Sequence, residues 1–79
     1  MLEAEEEAKY RQGLGKAIST LRSSKYGVRE FARIAGIEHH QLLNIESGKV
    51  DIRLSTLRKI SKGLGVEPKE LLDFSNCDV

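Results

Sequence analysis

The sequence predicts an all-α domain built from five short helices. Three observations carry that expectation. Apolar residues recur three and four apart along nearly the whole 79-residue chain, the spacing of helices with one buried face. Glycines stand where those runs stop, at Gly36, Gly48 and Gly65. The core material is lean and aliphatic, with no tryptophan, two tyrosines and two phenylalanines, while charged residues make up 32%. A chain this short forms one small domain and buries little surface, so few core positions can be wasted.

The first helix is read from Tyr10, Leu14, Ala17, Ile18 and Leu21, which fall on a single stripe. Gly13 and Gly15 weaken it by about 1 kcal/mol each relative to alanine. Residues 1–12 form an acidic extension that is either helical or frayed; glutamates suit the positive end of a helix. Ser23, Ser24 and Gly27 break the first helix. A second begins near Val28, turns Phe31, Ala32 and Ala35 inward and stops at Gly36. A third runs from about Glu38 to Glu46, with Leu42 and Ile45 inward, and stops at Gly48. The loop GKVDIR follows. Leu54, Leu57, Ile60 and Leu64 mark a fourth helix, with Arg58, Lys59 and Lys62 on its wet side. VEPKELL starts a fifth, with Pro68 at the first helical position, where its missing N–H costs nothing. The domain then spans residues 13–74, and 75–79 are a tail.

Charge is segregated along the chain. Residues 1–8 carry four glutamates and no base; residues 9–62 carry twelve Lys/Arg against four acids, a balance of +8; residues 63–79 carry one lysine against four acids. A basic body between acidic ends is the footprint of a polyanion partner. Cys77 is the only cysteine, so neither an internal disulfide nor a cysteine-based zinc site is expected. No apolar run is long enough to span a membrane, and the start lacks the pattern of a signal peptide, so the cytoplasm is the expected location. No nucleophile–base–acid set appears, so neither an enzyme nor a cofactor is expected.

Residues 31–49, FARIAGIEHHQLLNIESGK, hold the densest pattern. Ala32 is small where a second helix must cross closely, Gly36 supplies the turn, and Phe31, Ile37, Leu42 and Ile45 clamp the two helices at one angle. That is the spacing of a helix-turn-helix. LGKAISTLRSS, REFARIAGI, LLNIESGK and LSTLRKISKGLGVEPKELL follow in the order of a known family. The sequence resembles the lambda-repressor-like, Cro/C1-type helix-turn-helix (XRE) family over about residues 13–73. The resemblance implies a compact five-helix domain that binds double-stranded DNA, with the third helix lying in the major groove.

The implied roles follow residue by residue. On a helical wheel, His40, Leu43, Asn44 and Ser47 lie opposite the buried Leu42 and Ile45. With Glu38 and His39 at the leading end, they form the implied base-reading set. Asparagine suits adenine, a carboxylate suits cytosine, and Leu43 suits a thymine methyl or else a protein interface. Neighbouring histidines on a helix diverge by roughly 100°, which disfavours a shared metal ion. Phosphate contacts are implied for Val28 and Arg29 at the start of helix 2, for Lys49 and Arg53 after helix 3, and for Arg22, which the family often pairs with a glutamate such as Glu46. Three positions depart from the family pattern: Val28 stands for a glutamine, Glu38 for a serine or threonine, and Arg53 for a small capping residue. Members of the family bind as two-fold dimers, and Val66, Leu71, Leu72 and Phe74, buttressed by Tyr10, are the expected contact. The expected function is a bacterial or phage transcriptional regulator that acts by operator occupancy, with polymerase a possible protein partner. The alternative is a protein-interaction module retaining the fold, such as an antitoxin partnered by a toxin.

Overall fold

The computed structural model describes residues 2–73, with side chains from residue 5 onward. Five helices follow one another: α1 Leu2–Ser23, α2 Val28–Ala35, α3 His39–Glu46, α4 Leu54–Leu64 and α5 Pro68–Leu72. No strand occurs among the described residues. The expected all-α class and the five expected elements are therefore present. Phe74 and the tail lie outside the described residues.

α1 is the spine. At 22 residues it is roughly 33 Å long and accounts for most of the 36 Å longest dimension. It runs unbroken through residues 12 and 13, so the acidic extension is helical from Leu2. Only Leu14 and Ile18 of its expected stripe are buried, while Tyr10 is 61% and Leu21 37% exposed. The inner position after Ile18 belongs instead to Arg22, one turn on and only 8% exposed. The other members of the core are Phe31, Ala32, Ala35, Leu42, Ile45, Leu57, Ile60, Leu64 and Leu71. Leu54 departs from its expected place: it opens α4 and is 73% exposed, whereas Thr56 and Ser61 join Leu57, Ile60 and Leu64 on the buried side.

α2, α3 and α4 all end in the same way. The N–H of Gly36 donates to the Arg33 carbonyl and that of Ile37 to the Ala32 carbonyl. Gly48 and Lys49 repeat this on Ile45 and Asn44, and Gly65 and Val66 on Lys62 and Ser61. This is the Schellman arrangement, which needs a left-handed residue at its first position; the three glycines have φ of 75° to 77°. α1 lies against α3 so closely that a Cβ on Gly15 would sit 2.5 Å from the Glu46 carbonyl oxygen. The glycine that weakens α1 locally is thus what allows α3 to reach it.

Candidate nucleic-acid interface

α3 is anchored from beneath. Leu42 is fully buried and Ile45 is 4% exposed. That anchoring turns His40, Leu43 and Asn44 outward, with Ser47 exposed just past the helix end and His39 half-buried at its start. Glu38 is the exposed residue preceding the helix, and its backbone is extended. The rings of His39 and His40 meet edge to face, with centroids 5.3 Å apart. Ser47 Oγ donates to the Asn44 carbonyl at 3.1 Å. The expected reading row therefore lies on one exposed face. Gln41, which carries no role in the sequence pattern, is exposed beside it and lines a shallow groove with Asn44, Arg53 and Thr56. A wheel centred on Leu42 and Ile45 sets Gln41 close to the buried side, and only the neighbouring α4 shows that it borders open space.

The cations divide into two kinds. Arg29, Lys49 and Arg53 are exposed. Arg22 is not: it is paired with Glu46, as the family resemblance implied. Its Nε donates to Glu46 Oε2 at 2.6 Å, its Nη2 to Glu46 Oε1 at 3.1 Å and its Nη1 to the Tyr26 carbonyl at 2.9 Å. The two side chains are only 10% and 9% exposed. All three guanidinium nitrogens are engaged inside the protein, so Arg22 braces the end of α3 against the chain leading into α2. Lys25 adds a second tie, donating from Nζ to the Leu64 carbonyl at the end of α4.

The helix starts behave unlike the helix ends. No side chain caps α2, α3 or α4 at its N-terminus. Gly27 has no side chain to offer, and Arg53 has no acceptor. The Val28 side chain packs against the core, which leaves only its backbone to face a ligand. Among the described residues, no three His, Cys, Asp or Glu side chains are grouped to hold a metal ion. No helix there is long and apolar enough to cross a membrane.

Of the expected dimer residues, Leu72 is 51% exposed, and Val66 is half-buried against the core. Leu71 is corrected: it is fully buried within the monomer. Three exposed apolar residues, Tyr10, Val50 and Leu72, line one groove together with the half-buried Ile52.

A small residue under the crossing, a left-handed turn glycine and an outward α3 together make the geometry of a helix-turn-helix. Residues 15–74 match the family described as "Helix-turn-helix domain". The chain belongs to that family. Within it, this helix-turn-helix protein is of the lambda-repressor-like type, the DNA-binding transcription regulators. It is 35% identical over 69 residues to control protein C.BamHI of Bacillus amyloliquefaciens, an alignment covering 81% of this chain and 85% of that protein. The fold is similar to that of the restriction-modification controller protein C.AhdI from Aeromonas hydrophila, with a TM-score of 0.74 at 23% identity over 76% of this chain and 92% of that one. It is also similar to the clp gene regulator ClgR from C. glutamicum, with a TM-score of 0.79 at 22% identity over 89% and 92%.

Proposed function

We propose that this protein is a sequence-specific transcriptional regulator of bacterial or phage type that works in the cytoplasm by occupying an operator as a homodimer. The observation that carries the reading is the exposed row His40, Leu43, Asn44 and Ser47 on a helix anchored by Leu42 and Ile45, flanked by Lys49 and Arg53. Glu38 and His39 begin that row. Asn44 reads adenine, the histidines donate to guanine, and Leu43 meets a thymine methyl. Arg29, Lys49 and Arg53 hold phosphates, as does the uncapped start of α2 at Val28, and these contacts set the register without reading sequence. The 35% identical relative is named a control protein, which agrees with a regulatory role. Two copies meet through the Tyr10, Val50, Ile52 and Leu72 groove and through Val66; Phe74, also expected there, lies outside the described residues. This contact matches half-sites about one helical turn apart.

The test is selection of bound sequences from a random duplex pool, repeated with Asn44→Ala. The variant should lose about 1–3 kcal/mol of discrimination at one base position and keep its non-specific binding. An unchanged consensus would remove Asn44 from the reading set. A second reading, a protein-interaction module such as an antitoxin, is favoured by one observation: Leu43, 39% exposed, at the middle of the row. Absence of any salt-dependent DNA binding would favour it.

A further inference from the structure

We infer that Arg11 is a positioning residue for the DNA-contacting face and acts through the Gly48–Lys49 peptide. Arg11 lies ahead of residues 15–74, so it stands outside the stretch that matches the family. The inference rests on the reading that Lys49 contacts a phosphate.

A single peptide plane links the two residues. Its N–H, on Lys49, donates to the Asn44 carbonyl at 3.0 Å. Its C=O, on Gly48, accepts from Arg11 Nε at 3.3 Å, across 37 residues of sequence. A peptide unit is rigid, so holding its donor and its acceptor fixes its tilt and with it where the next Cα, the root of the next side chain, stands. That next residue is Lys49. On the other side of the plane the anchor is Asn44, the proposed reader. Arg11 therefore supports the phosphate contact at Lys49, as the outer support of a binding site should.

The surroundings leave this plane little freedom. Gly48 is buried and left-handed, with φ of 77°. A Cβ there would lie 2.8 Å from Gln12 Cγ and 2.9 Å from Gln12 Cα, so α1 presses directly on the turn. Arg11 is half-buried and lines the same groove as Leu14 and Ile45. The bland alternative is that Arg11 is one more surface cation with its own phosphate.

A double-mutant cycle on salt dependence separates the two. DNA affinity is measured from low to moderate salt for wild type, Arg11→Met, Lys49→Ala and the double variant. Methionine keeps the apolar stem and removes the donors. Removing one phosphate from the bound footprint lowers the slope of log K against log salt by about one. The expected result is a drop of about one in each single variant and still about one in the double, because both remove the same interaction. A drop of about two in the double would make Arg11 an independent contact and overturn the inference. So would an unchanged slope in Arg11→Met. An unchanged slope in Lys49→Ala would instead overturn the reading of Lys49 on which the proposal stands. A measurement without DNA keeps the inference testable in that event. In free Arg11→Met, Lys49 amide exchange should accelerate and the Gly48 carbonyl carbon shift should move, with other helix amides unchanged. Unaltered Gly48 and Lys49 signals would show that Arg11 does not hold the plane, and general loss of protection would show that it serves only the fold.

Discussion

Removing Glu46 should nearly unfold this protein, although an exposed ion pair would scarcely be missed. The Arg22 and Glu46 side chains are 10% and 9% exposed and joined by two hydrogen bonds. Glu46→Ala leaves a buried guanidinium with the Tyr26 carbonyl as its remaining acceptor. Breaking a buried pair from one side costs about 3–5 kcal/mol. A 79-residue chain has roughly 4–12 kcal/mol in total, at about 0.05–0.15 per residue. Urea unfolding followed by circular dichroism should therefore show a midpoint lowered by several molar, or helicity already lost in buffer. Replacing both partners with apolar side chains, Arg22→Met with Glu46→Leu, should cost less than Glu46→Ala alone, because no charge is left buried. The residual cost should be about 1–3 kcal/mol for the unsatisfied Tyr26 carbonyl. A loss below about 1 kcal/mol for Glu46→Ala would put the pair in the range of solvent-screened surface bridges and refute the brace.

Three further outcomes are expected. Gly15→Ala should lower the melting temperature by the equivalent of about 1–3 kcal/mol, because the crowding against Glu46 outweighs the helix-propensity gain of about 1 kcal/mol; a higher melting temperature would show that α1 and α3 separate without cost. Gly27→Asp should stabilise the fold by a few tenths of a kcal/mol as a new cap for α2, yet weaken binding to every DNA sequence. Equal affinity in an anisotropy titration would exclude the start of α2 from the phosphate contacts. Leu72→Asp, at a position 51% exposed, should give a folded monomer with much weaker operator binding. Sedimentation that finds the wild type monomeric at high concentration would sink the dimer reading.

The ends of the helices are the most legible part of the fold, because a left-handed glycine is a local demand that a single residue reveals. Gly36, Gly48 and Gly65 each stop a helix where the sequence pattern places the stop. The face of α3 is also legible, since Leu42 and Ile45 alone orient it. Features that depend on a neighbouring helix are not. Gly15 reads as a weak point in α1 until α3 is seen against it. Leu21 and Leu54 fit helical stripes but face solvent, because Arg22 takes the inward position after Ile18 and Leu54 only opens α4. Arg11 and Gln12 look like part of an acidic extension, and only the turn at Gly48 gives them a task. Arg22 pairs with the expected glutamate, but its depth of burial cannot be read from spacing.

The contrast between sealed helix ends and open helix starts has a consequence for how long the protein survives. In the free chain, water must serve the first amides of α2, α3 and α4, since no side chain does. On the DNA-binding reading, phosphates take over some of that service, and the folded state gains whatever the operator supplies. At a hundredfold excess over the dissociation constant, that gain is about 2.7 kcal/mol. Proteases sample a small domain mainly through its transiently open population, which falls by roughly a hundredfold for such a gain. Copies resting on an operator would then outlive copies adrift in the cell, and surplus regulator would be cleared first. The amount of protein present would follow the number of operators available to shelter it.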